Sequence, residues 1–446
     1  MGSYIATSVQ EREEMLASVG VGSLDELFAD IPSEVRKKGG WDLPPGRSEM
    51  EVLAYMERLA SQNQVFRSVF RGAGAYDHYI PQIVKSVVSK EEFLTTYTPY
   101  QAEVSQGVLQ SIFEYQTMVC RLTGMDASNA SVYDGASAAA EAAAMCRDRK
   151  RNQVLVSAAA HPDTIRTIRT YCFGNGMEFV LVPEKEGVTD TEFAASHSSA
   201  QTACLYVQQP NYYGLIEDAD SLGAAVHQFG GKYIMGINPI AASILKTPRE
   251  CGADIAVGDG QPLGMPLGYG GPYLGFMACT ADLTRKLPGR IVGETADAEG
   301  RRGYVLTLQA REQHIRREKA SSNICSNQAL CAMTMAVYMA AMGAEGMAQA
   351  ASLCTSKAAY LRIGLEEAGF LPVYGSRPFF HEFVTTSPIP AGEVEKQLEK
   401  AGILGGLPLA EDRILWCCTE KNSREDMDEL TGLLKKMTER GGRICN

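Results

Sequence analysis

QVLVS (153–157), PDTIRTIRTYCF (162–173), FVLV (179–182), ACLYVQ (203–208), DADSLGAAVHQF (218–229), YIMGI (233–237) and DIAV (254–257) decide the fold of this chain. Short β-branched or apolar runs alternate with longer stretches that read as helices. Strand, helix, strand at this interval predicts βαβ units and a mostly parallel sheet, so the class is α/β. Sheets of this kind hold ligands outside the carboxyl ends of their strands. An alanine-rich stretch at 136–147 and a last apolar run at 273–278 continue the pattern on either side.

Working outward, residues 105–124 predict a helix. Val108, Ile112, Tyr115, Val119 and Leu122 fall on one face, Ser105 is placed to cap the start, and Gly124 is placed to end it. Residues 1–95 are polar and mainly helical, with apolar stripes too sparse for a core of their own. They predict an arm lying on a larger body or on another chain. Residues 289–327 are charged and weakly periodic. An apolar helix at 328–342, too short to span a bilayer, then leads to a small unit. That unit has helices at 352–368, 393–400 and 423–439 and strands at 382–385 and 413–418. The expected organisation is an N-terminal helical arm (1–95), a large α/β domain (96–330), and a helix linker with a small C-terminal α/β domain (331–446).

The 446 residues carry 42 basic and 53 acidic side chains, a formal net charge of −11. That balance argues against nucleic acid as a partner, which needs a basic face. The start, MGSYIATSVQEREEML, has no basic segment followed by an apolar one, so neither a secretory signal nor membrane association is expected. Twelve cysteines without any CxxC read as reduced thiols of a cytoplasmic protein. The six histidines show no ligand spacing, so no metal is expected.

Four stretches carry possible chemistry. Asp134-Gly135-Ala136-Ser137 opens a helix with small residues, either a phosphate cradle or a plain cap. The run GDGQPLGMPLGYGGPYLG (258–275) makes rigid turns after a strand, for a site loop or a structural one. Tyr76 and His78, and Tyr97, Thr98 and Tyr100, place polar aromatic loops beside proline, as at recognition surfaces or packing corners. Arg311, His314, Arg316, Arg317 and Lys319 form a basic run. It would receive an acidic partner, or be a solvated helix face with Glu312 paired to Arg316.

A parallel-sheet domain with a phosphate-type turn and a small C-terminal domain suggests a pyridoxal-phosphate enzyme. That chemistry needs a lysine for the Schiff base and an acid for the pyridinium nitrogen. Between 233 and 289 the only lysines are Lys246 and Lys286, neither of them in the glycine-rich turn, and Asn238 stands where an acid is wanted.

GAGAYDHYIP (72–81), TPYQAEVSQG (98–107), IFEYQTMVCRLTGMDASNASVYDGAS (112–137), GQPLGMPLGYGGPYLGFMA (260–278) and LQAREQHIRREKASSNICSNQAL (308–330) resemble one family closely. It is the glycine dehydrogenase (decarboxylating), or P-protein, family of the glycine cleavage system, and within it the first subunit of the split bacterial form. The resemblance implies a type I pyridoxal-phosphate-dependent transferase fold. It implies a second subunit that carries the cofactor lysine, with Gln261 of this chain at the matching position and no cofactor bound covalently here. Gly135, Ala136, Ser137 and Asn238 are then vestiges of a cofactor site. It further implies an α2β2 assembly that decarboxylates glycine and passes the aminomethyl group to the lipoyl group of an H-protein, the isolated chain being inactive. Tyr76, His78, Tyr97, Thr98 and Tyr100 become candidates to reach a neighbouring site or line the lipoyl channel, and the 311–319 run a docking surface. Two alternatives stay open: a scaffold without a part in the chemistry, and a self-sufficient enzyme using an unusual lysine.

Overall fold

The computed structural model describes residues 6–37, 39–96, 99–375 and 377–441. The expected strands assemble into one seven-stranded sheet in the order Ala127–Ser128, Gly275–Cys279, Ile255–Asp259, Lys232–Ile237, Thr202–Gln209, Gln153–Ser157, Glu178–Val182. The last five are mutually parallel, and Gly275–Cys279 runs antiparallel to both of its neighbours. Side chains alternate between two cores, as the two-residue period of a strand requires. Leu155, Leu205, Tyr233 and Met235 join one. Val154, Val156, Cys204, Tyr206 and Ile234 join the other. Burial on both faces explains why these strands read as nearly continuous apolar runs.

The helix Gln106–Thr123 buries Ile112, Tyr115 and Val119, and Gly124 ends it at φ 72°. Ser105 takes the N-cap position without a side-chain bond to the helix, which corrects its expected capping role. Helix 328–342 and helix 352–368 are parts of one element, Ala329–Glu367, broken only where Gly343 takes φ 62°. This element is long and apolar enough to cross a membrane by length and composition, contrary to the shorter reading, but half of its most apolar stretch is buried and Met335, Tyr338 and Cys354 belong to the protein core.

The chain divides into two compact units, 1–64 and 65–446. In the first, the helices Val9–Ser18 and Glu49–Ala60 bury no residue, and each opens with a serine capping box. The expected arm boundary at 95 is thus moved to 64. Residues 65–95 belong to the body because Ser68–Val69 pairs with Ile403–Leu404 and Phe70 enters the C-terminal core with Phe383, Trp416 and Leu430. That core covers a three-stranded sheet, Glu382–Thr386, Arg413–Cys417 and Leu407–Ala410, one strand more than expected. The 289–327 region contains an unforeseen hairpin, Val292–Ala296 with Arg302–Leu306.

Candidate functional site

The parallel strands end on a cavity of about 330 Å³. Gln208, Asn238 and Asp259 come from three strand ends, Gly135 and Ala136 from a helix start, Tyr76 from the 72–81 loop, and His381 and Glu382 from the C-terminal sheet. The site therefore lies where an open α/β sheet places ligands.

The helix Gly135–Cys146 begins under two carboxylates. Asp134 Oδ1 accepts from the Ser137 N–H at 2.7 Å, and Asp259 Oδ2 accepts from the Gly135 N–H at 3.0 Å. A Cβ on Gly135 would lie 2.9 Å from the Asp259 nitrogen, so only glycine permits this approach. Asp259 Oδ1 accepts from the Gln261 N–H at 2.8 Å. Burial pushes the Asp259 carboxyl up to about 6, against the pull of these N–H donors.

Gln261 is 1% exposed. Its Oε1 accepts from the Tyr76 N–H at 2.8 Å, and its Nε2 donates to the carbonyls of Tyr76 and Met265, both at 2.9 Å. The amide thus clamps the 72–81 loop onto the glycine-rich turn. Next to it, Glu382 accepts from the Ala73 N–H at 2.6 Å and from the Tyr76 hydroxyl at 2.8 Å. Burial pushes this carboxyl up to about 7. His381, 1% exposed, has no protein partner on either ring nitrogen, and burial holds it well below the usual histidine range. His161 closes another side, its Nε2 2.9 Å from the Ala73 carbonyl.

The family model described as glycine cleavage system P-protein matches residues 2–434. The chain belongs to the glycine cleavage system P-protein family. A relative from Desulforamulus reducens, named "Probable glycine dehydrogenase (decarboxylating) subunit 1", is 49% identical over 443 residues, 97% of this chain and 99% of that protein. A crystal structure of glycine decarboxylase (P-protein) of the glycine cleavage system in inhibitor-bound form superposes with a TM-score of 0.92 at 41% identity, covering 98% of this chain and 100% of that one. An aspartate aminotransferase from Thermus thermophilus, 15% identical, shares the fold alone, with a TM-score of 0.60 over 84% of this chain and 99% of that one. The P-protein fold here is thus the type I pyridoxal-phosphate-dependent transferase fold, as the resemblance implied.

Pyridoxal phosphate does not fit the residues this P-protein chain presents. Among the described residues no lysine or arginine lines the cavity. Lys246 is an exposed partner of Asp220, at 2.8 Å. Two of the helix N–H groups that would cradle a phosphate, those of Gly135 and Ser137, already meet Asp259 and Asp134, whose charge would repel it. Asn238 uses its Oδ1 to accept from the Ile240 and Ala241 N–H groups, leaving only a buried Nδ2 without a protein partner.

Of the residues singled out from sequence, Tyr76, Gly135, Ala136 and Asn238 meet on the cavity, with Gln261 and the Ser137 N–H directly behind its wall. Others are placed differently. Tyr76 and His78 turn inward, each to a carboxylate of the C-terminal part: Tyr76 binds the buried Glu382, and His78 Nδ1 lies 2.7 Å from the partly buried Glu420. His78, Cys354 and Glu420 bring metal-ligating atoms within 4.8 Å of one another, a proximity no spacing foretold. Their mutual hydrogen bonds account for it. Tyr100 is away from the cavity, its hydroxyl on Asn327 at 2.8 Å and its ring under Arg290. Tyr97 and Thr98 lie outside the described residues.

Arg311 points inward, donating to the carbonyls of Leu287 and Gly289, so it does not belong to a docking surface. Glu312 is buried and pairs with Arg290, not Arg316, and the helix Gln313–Arg316 is too short to present a face. His314, Arg316, Arg317 and Lys319 are exposed. Sequence reading missed His161, Asp259, His381 and Glu382. Glu382 did carry a signal, a charged residue opening a strand whose next two residues are apolar.

Proposed function

We propose that this chain is the non-cofactor half of a glycine dehydrogenase (decarboxylating). A second subunit of related fold supplies pyridoxal phosphate on its own lysine. Together they form an α2β2 assembly in the cytoplasm, which decarboxylates glycine and passes the aminomethyl group to the lipoyl group of an H-protein. The observation that carries this reading is Gln261. At the position where the family resemblance sets the partner's lysine, this chain has a buried amide with its oxygen and nitrogen both bonded to backbone.

The chain's own part is to shape what surrounds the partner's site. Gln261 and Glu382 fix the 72–81 loop from behind, leaving Tyr79, 58% exposed, on its outer side. Tyr97, Thr98 and Tyr100 are proposed to line the path of the lipoyl arm. Tyr100 is braced for this by Asn327 and Arg290. His314, Arg316, Arg317 and Lys319 are proposed to receive an acidic H-protein surface.

The test is glycine-dependent CO2 release by this chain, by the second subunit, and by the two mixed with lipoylated H-protein. Release by the mixture alone is expected. Turnover by this chain without its partner would contradict the proposal.

A further inference from the structure

We propose that the cavity at the carboxyl ends of the sheet binds a small organic cation bearing a primary ammonium group, with Asp259, Glu382 and His381 as its acceptors. The proposal rests on the reading of this chain as the half without the cofactor, since a bound pyridoxal phosphate would fill the same space.

Three parts of the fold bring acceptors to the cavity lining. Asp259 ends a parallel strand, Asp134 caps the helix that starts above it, and His381 and Glu382 enter from the C-terminal sheet. A carboxylate offers about four lone-pair sites. Asp259 and Glu382 each use two, and every donor they meet is a neutral N–H or hydroxyl. No lysine or arginine lines the cavity among the described residues, so no cation of the chain balances these groups.

His381 is an independent sign. It is almost fully buried, it is part of the cavity wall, and neither of its nitrogens has a protein partner. Buried polar side chains are nearly always satisfied, so an imidazole left this way is placed for a group that arrives through the cavity. A primary ammonium brings three N–H donors and no acceptor, the complement of a wall rich in acceptors. The Asn238 Nδ2, a donor without a protein partner, allows a carboxylate on the same ligand, so small amino acids fall within the class. A phosphate meets the carboxylates of Asp134 and Asp259, and among the described residues no lysine or arginine lines the cavity to offset them, so it is excluded.

The full-length chain is titrated calorimetrically at constant ionic strength with methylammonium, glycine, acetate and inorganic phosphate. Methylammonium and glycine are expected to bind saturably and to compete with each other. Acetate and phosphate are expected to give no saturable heat. Asp259→Asn should weaken methylammonium binding about tenfold or more. Circular dichroism establishes that the variant is folded. If it is not, Glu382→Gln replaces it, and the contrast between methylammonium and acetate on the unaltered chain needs no variant. Phosphate or acetate binding as tightly as methylammonium would overturn the proposal, as would methylammonium heats that do not saturate or that ignore the variant. Non-saturating methylammonium together with mixture-dependent CO2 release would sink this inference alone. Turnover by the isolated chain would sink the functional reading first.

Discussion

Glu382 follows His381 in the chain and Glu420 is bonded to His78, and their carboxyl groups are driven in opposite directions. Glu382 meets only neutral donors, the Ala73 N–H and the Tyr76 hydroxyl, and burial pushes it up to about 7. For Glu420 burial works in the same upward sense, yet its contacts with His78 and the Tyr79 N–H hold it down at about 2. Burial sets the default and the partner decides the outcome. Glu420 is half of an internal pair with His78 that ties the 72–81 loop to the C-terminal part. Glu382 faces a cavity that no lysine or arginine lines among the described residues. The first is architecture; the second belongs to the wall of the cavity we propose as an ammonium site.

Removing a partner from the His78–Glu420 pair should have the largest effect. His78→Ala strips Glu420 of its imidazole and is expected to cost about 3–4 kcal/mol of stability in denaturant unfolding. A loss under about 1 kcal/mol would show that the pair is not what holds the loop.

On the other side of the comparison, the sign of the pH dependence is fixed. The folded pKa of Glu382 lies above its reference of 4.5, so its contribution is fullest below pH 4.5 and is lost as pH rises through about 7. Glu382→Gln should therefore gain on the unaltered chain by roughly 2–3 kcal/mol between pH 4.5 and pH 8. Parallel stability curves for the two proteins would remove Glu382 from this role.

Gln261→Leu leaves the Tyr76 N–H and carbonyl without partners. It should cost about 2 kcal/mol and speed amide exchange in residues 72–81, leaving the sheet protected. Unchanged exchange would mean that the clamp is redundant. The smallest effect separates structure from surface in the basic run. Arg311→Ala should lower stability by about 1–2 kcal/mol, whereas Arg317→Ala should stay within about 0.5 kcal/mol and act only on salt-dependent H-protein binding. The opposite order would return Arg311 to the docking surface.

How much of this was legible depended on whether each residue's partners lie near it in the chain. The parallel strands were readable because both faces of Gln153–Ser157 or Lys232–Ile237 are buried, which writes an apolar run into the sequence. The hairpin Val292–Ala296 was not, because Glu294, Thr295 and Ala296 are solvated and leave no period. Leu407–Ala410 was missed for a similar reason, with Pro408 interrupting a partly exposed edge. The absence of a lysine near the turn was plain, but what Gln261 does instead depends on Tyr76, 185 residues away. Arg311 misled because its charge was visible and its carbonyl partners were not. The arm ended early because Phe70 is an ordinary apolar residue until the C-terminal core is known.

The most direct measurement titrates the purified chain, without its partner, with pyridoxal phosphate, followed by borohydride reduction and mass spectrometry. The account predicts no saturable imine absorbance and no single lysine labelled stoichiometrically. One lysine trapped at one equivalent, with glycine able to displace it before reduction, would contradict it.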